Sequence, residues 1–370
     1  IGKIAPRIHF HFEVRNEFID REMAGLFARI TCSLQIGLQS ADPQVLKQVG
    51  RTFRQSDFIS RTMLLNESGA VFGFDVIYGL PGDTLPGFRR SLDFALGLYP
   101  NHLDIFPLAI LPGTALAARS DASGLKHLPA PPYTLISSPT FTAADMQKAQ
   151  NLALACDIFY TRGRAVAWFI GVLDPLGMPP SEFLQQFGDW LARERGGNLN
   201  ETELSDGQIW QMQRTFLSRL FSPKRLRRFL PAVLDLVDYH YHYAAALMSP
   251  PPATPRQIPA ARQLLELALR QTPTTRSARF HYEILEILEA GAVDVRGFSD
   301  RLQRSASWAI IYPTPKGVCT ESISEAYFRL LECLDGTKPA GSVAACLGIP
   351  DREVAEFLEF AVQEGIVEKC

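Results

Sequence analysis

The stretch that decides the fold is Gly73-Phe-Asp-Val-Ile-Tyr-Gly-Leu-Pro-Gly-Asp-Thr84. Apolar residues alternate through its first half, which predicts a strand, and the Gly and Pro residues that follow predict a tight turn. A helix is expected to begin at Asp83 or Thr84, because apolar residues from Leu85 onward recur at helical spacing. These elements predict a parallel β/α unit, in which ligands usually bind at the carboxyl end of the strand. Asp75 lies just before that end on the face away from the helix, and a carboxylate there needs a partner or a ligand.

Three further segments alternate in the same way, and helices are predicted between the strands. The predicted strands are 8–14, 34–39 and 102–106, and the predicted helices are 17–29, 43–49 and 56–68. Connections of helix length require parallel strands, which are normally apolar on both faces. Here one face of each strand is polar, so we predict an α/β fold, part of an open β/α barrel whose polar face lines a wet cavity. An antiparallel sheet with one solvated face would also alternate and is the alternative. The polar-face residues are His9, His11, Glu13, Gln35, Gln39, Asp75, His102 and Asp104.

Composition excludes several classes of protein. The chain has 370 residues, 46% of them hydrophobic, and a net charge of −2, which predicts two or three domains and no bias toward nucleic acid. Its six cysteines are widely spaced and include no CxxC, so buried thiols in a reducing compartment are favoured over disulfides or a zinc site. No apolar run of about 18 residues and no signal peptide occur, which predicts a cytoplasmic protein without a membrane partner.

Five motifs occur in a fixed order along the chain. They are His11-Phe-Glu-Val-Arg15, Ile36-Gly-Leu-Gln-Ser40, Gly50-Arg51, Asp75-Val-Ile-Tyr-Gly-Leu-Pro-Gly82 and Ala109-Ile-Leu-Pro-Gly-Thr114. The ordered set resembles the radical SAM (S-adenosylmethionine) superfamily, in its oxygen-independent coproporphyrinogen oxidase branch and, more closely, its proteins with a B12-binding domain. The resemblance covers residues 1–115 by motif and extends more loosely to about 195. It implies an Fe–S oxidoreductase that cleaves S-adenosylmethionine to a 5′-deoxyadenosyl radical acting on an unknown, small-molecule or other, substrate.

The resemblance also implies roles for individual residues. Glu13 matches an acid that the family uses on S-adenosylmethionine, Gln39 and Arg51 match groups that reach its ribose and methionine parts, and Asp75 matches a ribose contact. Ile77 and Ala109 match positions that meet adenine. Ribose hydroxyls suit carboxylate or amide acceptors, and a methionine carboxylate suits a guanidinium fork. The substrate residues expected on the same face are His9, His11, His102 and Asp104.

Each of these residues also has a structural interpretation. Glu13 would pair with Arg15 or a histidine, Arg51 would be a solvated cation at a helix end, and Gln39 with Asp75 would form a hydrogen-bonded pair. The three histidines would be satisfied interior side chains. Four matches in the family's order favour the functional interpretation.

One motif of the family is missing from this sequence. No CxxxCxxC, which holds three irons of a [4Fe–4S] cluster through thiolates, occurs in it. We therefore expect the chain to be a C-terminal portion, inactive alone, whose cluster ligands lie upstream. The resemblance further implies an electron donor such as flavodoxin or ferredoxin, and admits cobalamin in the full-length protein. The alternative is a non-enzymatic binding or regulatory protein built on a barrel remnant and a winged helix, and the sequence upstream of Ile1 would discriminate between them.

The remainder of the chain is predicted to be mostly helical. A partial barrel is expected at 1–120, a helical extension with Pro-rich linkers at 121–315, and a winged-helix-like domain at 316–370. The basic run from Lys224 to Arg228 is interpreted as a solvated helix face. The expected recognition helix of the winged helix carries four acids and a single arginine, which favours a docking or lid module over nucleic-acid binding.

Overall fold

The computed structural model describes residues 1–5, 8–195, 203–252, 259–290 and 293–370. Their contacts divide the chain into two compact units, 1–216 and 217–370. The boundary between the units falls inside one helix, Asp206–Leu220. The contacts do not divide the chain at 120 or 315, and the predicted three-part division stays a prediction. Among the described residues, none of the helices is both long and apolar enough to cross a membrane.

The first unit contains a four-stranded sheet in the order β1-β2-β3-β4, with every neighbouring pair parallel. The predicted parallel α/β sheet is confirmed, and the antiparallel alternative is wrong. Helices make the crossovers because parallel strands need long connections. The strands are β1 (Phe10–Val14), β2 (Cys32–Gln39), β3 (Phe72–Tyr78) and β4 (His102–Pro107), and the crossover helices are α1 (Arg21–Phe27), α2 (Pro43–Gln48), α3 (Gln55–Ser68) and α4 (Leu85–Leu96).

Capping residues decide where the crossover helices begin. Thr84 caps α4 by accepting a hydrogen bond from the Gly87 amide at 3.1 Å, so α4 begins at Leu85, one or two residues after the predicted start at Asp83 or Thr84. The predicted helix 17–29 is shorter than expected, because a 3-10 turn occupies Asn16–Phe18 and α1 starts only at Arg21. Asp20 causes the restart, since its carboxylate accepts from the Met23 amide at 2.8 Å in extended backbone.

The apolar face of the sheet packs against the crossover helices. Phe74 is fully buried on β3, and its ring centroid lies 5.3 Å from that of Phe58 on α3. Leu92 of α4 and Leu65 of α3 are equally buried. Removal of this much apolar surface from water is the main force that holds the helices to one face only.

The rest of the first unit packs against β4 at the edge of the sheet and builds a second, aromatic core. Phe159, Phe183, Phe187 and Phe216 lie with ring centroids 4.9–6.4 Å apart. The Pro-rich segment 121–142 contains a short antiparallel pair of strands, in which residues 126–127 pair with residues 135–137. The remaining elements of this unit are α5 (Ala115–Ala118), β5 (Lys126–His127), β6 (Leu135–Ser137), α6 (Ala143–Cys156), α7 (Phe169–Leu176), α8 (Pro180–Arg195) and α9 (Asp206–Leu220).

The second unit holds two antiparallel three-stranded sheets, in the orders β10-β9-β8 and β11-β7-β12. A long helix, α10, packs against the first of these sheets. The elements of the second unit are α10 (Leu230–Leu247), α11 (Ala261–Glu266), β7 (Ala268–Gln271), β8 (Arg276–Phe280), α12 (Ile284–Glu289), α13 (Val295–Arg301), β9 (Ser307–Thr314), β10 (Gly317–Ile323), α14 (Glu325–Cys333), β11 (Asp335–Pro339), α15 (Ala340–Leu347), α16 (Asp351–Gln363) and β12 (Val367–Lys369).

The C-terminal segment follows the predicted succession of three helices and a short strand. Its sheet, however, is centred on β7, which precedes the predicted start at 316, and that start falls in the turn between β9 and β10. The hydrophobic core accordingly runs from Leu264 to Val367. The segment 316–370 thus shares its core with residues before it, and its winged-helix character stays a prediction.

Candidate functional site

A cavity of about 800 Å³ opens on the polar face of the sheet, where β1 and β2 end and α3 begins. This volume lies in the range of small-molecule sites, and its position is that of ligands in parallel β/α folds. Four of the six residues predicted to bind cofactor line it: Glu13, Gln39, Arg51 and Asp75.

Arg51 reaches the cavity from the connection between α2 and α3. Its Nη1 donates to the carbonyl oxygen of Gly37 at 3.3 Å, so the guanidinium lies against β2. A Cβ atom built on Gly37 would stand 3.4 Å from Nη1, which is van der Waals contact, so the guanidinium lies close over the strand at this position. Arg51 is also exposed, so both its cofactor-binding role and its interpretation as a solvated cation stay predictions.

Gln39 ends β2 in an uncommon backbone conformation. Its φ is 63°, in the left-handed region, and the pairing register with β3 shifts between Gly37 and Gln39. A bulge of this kind redirects a side chain at a strand end, and such strained positions cluster at functional sites. The Gln39 amide nitrogen lies 3.8 Å from a Cβ built on Gly37, beside the Arg51 guanidinium. Gln39 and Arg51 thus share one wall of the cavity.

Asp75 is held by a residue that the sequence placed on the polar face without a role. Gln35 donates from Nε2 to Asp75 Oδ1 at 2.5 Å, and Gln35 is only 6% exposed. The predicted structural pair of Asp75 with Gln39 is therefore not the arrangement observed. The sequence feature that could have identified Gln35 as a site residue is its position on the same strand face as Gly37 and Gln39.

Glu13 lines the cavity from β1. In the strand register it stands opposite Gln35, and it is exposed to solvent. The predicted alternative partner, Arg15, instead pairs with Glu17 at 3.0 Å. The carboxylate of Glu13 is thus placed toward a solvent-filled space, where a cationic or hydroxyl group could bind.

The residues predicted to bind substrate lie on the polar face but do not line this cavity. His9 Nε2 and His11 Nδ1 are each 3.0 Å from Ser33 Oγ, and His102 Nε2 is 2.7 Å from Gln35 Oε1. Burial lowers the pKa of His102, and the nearby Asp104 carboxylate opposes that shift. Each histidine thus has a hydrogen-bond partner, and the substrate role of His9, His11, His102 and Asp104 stays a prediction.

The two residues predicted to meet adenine do not line this cavity. Ile77 pairs with Phe106 between β3 and β4, and Ala109 forms a bridge with Thr134. Their contact with adenine stays a prediction. The apolar lining consists of other residues, namely Val14, Leu38, Leu46, Phe53 and Phe58.

The cysteines of this chain do not fit an iron–sulfur cluster. Cys32 and Cys156 are buried, Cys319 is half-buried, and the other three are exposed, so the prediction of buried thiols is correct for two of them. Cys333 and Cys346 are exposed because they lie on outward faces of α14 and α15. Within the described parts of the chain, no group of three or more His, Cys, Asp or Glu could hold a metal ion.

Comparison with known proteins gives partial similarities, and no family model matches the chain. It is 30% identical over 97 residues to the heme chaperone HemW of Bacillus subtilis, covering 26% of this chain and 25% of that protein. It is 32% identical over 97 residues to the oxygen-independent coproporphyrinogen III oxidase of Helicobacter pylori J99, covering 26% and 21%. It is 33% identical over 88 residues to the threonylcarbamoyladenosine tRNA methylthiotransferase MtaB of Thermotoga maritima, covering 23% and 20%.

Solved structures match this chain with low TM-scores. Coproporphyrinogen III oxidase (HemN) from Escherichia coli, a radical SAM enzyme, matches with a TM-score of 0.28 and 27% identity, over 34% of this chain and 29% of that one. The methyltransferase TsrM from Kitasatospora setae, with cobalamin and a [4Fe-4S] cluster bound, matches with a TM-score of 0.30 and 17% identity over 64% and 43%.

The matched region spans a quarter or less of the length of the curated relatives. The sequence similarity to coproporphyrinogen oxidases agrees with the branch that the five ordered motifs resemble, and it supports the radical SAM superfamily at that coarse level. It does not single out the branch with a B12-binding domain.

Proposed function

We propose that this chain supplies the S-adenosylmethionine pocket of a radical SAM oxidoreductase, and that the cavity of about 800 Å³ is that pocket. One observation carries the proposal. The cavity gathers two carboxylates, an amide and a guanidinium from four separate segments of the chain, at the strand ends where parallel β/α folds bind ligands: Glu13, Gln39, Arg51 and Asp75.

The chemistry of these groups matches the parts of the ligand. The Asp75 carboxylate and the Gln39 amide oxygen accept hydrogen bonds from ribose hydroxyls, and the Arg51 fork binds the methionine carboxylate. Glu13, on the opposite wall, suits the α-amino group. For the adenine ring we assign the apolar surface of Leu38 and Phe53 in place of Ile77 and Ala109, because only the former pair lines the cavity.

S-adenosylmethionine, when bound with a reduced iron–sulfur cluster, supplies hydrogen abstraction from a substrate in this class of enzyme. The residues of this chain bind and orient the nucleoside and exclude water from it. No residue here fits the cluster, so the proposal assigns the cluster no ligand in this chain. An electron donor such as flavodoxin or ferredoxin, and the substrate, belong to the proposal for the whole protein.

The test is direct measurement of ligand binding by the purified chain. Isothermal titration with S-adenosylmethionine and S-adenosylhomocysteine should give one site per chain. Asp75→Ala and Gln39→Ala should each weaken binding roughly ten- to a hundredfold, the effect of losing a strong hydrogen bond. The matched control is Asp121→Ala, at an exposed aspartate that does not line the cavity. Wild-type affinity in both cavity variants would show that these residues are structural.

A further inference from the structure

Three polar side chains connect three strands at the cavity, and two of them, Gln35 and Asp75, line it. His102 on β4 lies 2.7 Å from Gln35 Oε1 on β2, and Gln35 Nε2 lies 2.5 Å from Asp75 Oδ1 on β3. In the register, Gly73 stands between Gln35 and His102. The histidine therefore crosses β3 to reach its partner.

Gly73 makes that crossing sterically feasible. A Cβ built on Gly73 would lie 2.2 Å from His102 Nε2 and 2.3 Å from its Cδ2, distances that real Cβ atoms do not adopt. The imidazole thus lies flat over the glycine, in the space that any other side chain would fill. Gly73 is buried, with a φ outside the left-handed region, so space and not backbone freedom explains the glycine.

The chemistry of the groups fixes the direction of the hydrogen bonds. An ionised carboxylate only accepts, so the Gln35 amide must turn its NH₂ group toward Asp75 and its oxygen toward His102. His102 must then carry its proton on Nε2. His102 Nε2–H therefore donates to the side-chain oxygen of Gln35, and the side-chain NH₂ of Gln35 donates to Asp75 Oδ1.

We propose that Gln35, His102 and Gly73 are positioning residues that hold the Asp75 carboxylate ready for a ribose diol. Gln35 occupies Oδ1 and fixes the carboxylate plane, which leaves Oδ2 for a hydroxyl of a ribonucleoside. A carboxylate fixed before binding loses less conformational freedom when the ligand arrives. The inference rests on the proposed function and deepens it, because it makes the site selective for ligands with free ribose hydroxyls.

The experiment compares adenosine with 2′,3′-dideoxyadenosine as probes. Gln35→Ala and Gly73→Ala should each weaken adenosine binding about tenfold and leave dideoxyadenosine binding unchanged. Adding Gln35→Ala to Asp75→Ala should cause no further loss, because Gln35 acts through Asp75. The matched control is Gly25→Ala in α1, where a Cβ meets nothing within 4 Å, and its affinity should equal that of wild type. Equal losses for both nucleosides, or additive losses in the double variant, would overturn the proposal.

A second measurement needs no ligand and still applies if Gly73→Ala fails to fold. Nitrogen-15 NMR of histidine-labelled chain should show His102 with its proton on Nε2, and Gln35→Ala should relax that preference. Adenosine binding together with a proton on Nδ1 would disprove the positioning network alone. Absence of adenosine binding with the expected tautomer would instead remove the proposed function, and the ligand role of the network with it.

Discussion

The two faces of the four-stranded sheet are stabilised by different kinds of interaction. On the helix side, Leu34, Phe74 and Val76 are fully buried among other apolar side chains, and non-directional burial holds them. On the cavity side, Gln35 and Asp75 are held by directional hydrogen bonds at 2.5–2.7 Å. Burial of apolar surface on one face therefore stabilises the fold, whereas directional hydrogen bonds on the other face fix the positions of the side chains in the candidate site.

The largest effect that would test this difference is on the helix side. Phe74→Ala removes a fully buried ring that contacts Phe58, and should lower the free energy of unfolding by about 3–5 kcal/mol. Phe106→Ala is the matched control, because Phe106 is 50% exposed on the other face and should cost less than about 1 kcal/mol. Urea denaturation followed by circular dichroism measures both. Similar losses in the two variants would show that the faces are not distinct in this way.

A smaller effect is expected on the cavity side, and on affinity more than on stability. Arg51→Ala should weaken S-adenosylmethionine binding by about 1.5–3 kcal/mol, the contribution of a hydrogen bond to a charged group. Arg51→Lys should not restore it fully, since a point charge cannot reproduce a bidentate fork. Arg29→Lys, at an exposed arginine outside the cavity, is the control. Full affinity in Arg51→Lys would indicate that charge alone matters there.

The smallest effect concerns Asp83, which lies in the turn between β3 and α4. Its side chain is 2% exposed; Oδ1 accepts from the Thr84 amide at 2.7 Å, and Oδ2 has no partner among the described residues. Burial raises its pKa to about 6, helped by Asp42 and opposed by the Thr84 amide and Arg90. An unfolded aspartate ionises near pH 3.9, so between about pH 4 and 6 the folded state binds more protons. Stability from this group is therefore present at low pH and lost as pH rises through that window.

Asp83→Asn should remove this pH dependence. Relative to wild type, the variant should gain about 1–2 kcal/mol of unfolding free energy as pH rises from 4 to 7, because the carboxylate no longer has to ionise inside the protein. Urea midpoints at several pH values measure the gain, and Asp121→Asn at an exposed site should show none. A constant difference between variant and wild type across pH would refute the assignment.

The sequence by itself determined which residues share a face. A side-chain period of two placed Glu13, Gln35, Gln39 and Asp75 on the polar face, and helix-length connections required parallel strands. Both predictions follow from local geometry that every strand obeys, and the ordered motifs, through their resemblance, led to the proposed ligand class. Four of the six predicted cofactor residues accordingly line one cavity.

Only the tertiary structure decided which of those residues meet. Gln35, and not Gln39, holds Asp75, and His102 reaches Gln35 only because Gly73 lies between them. Ile77 and Ala109 lie outside the cavity, and β7 joins the C-terminal sheet from beyond the predicted boundary. Alternation fixes the face of a side chain but neither the register between strands nor the reach of a long side chain across a glycine, and both depend on the packing of the whole sheet.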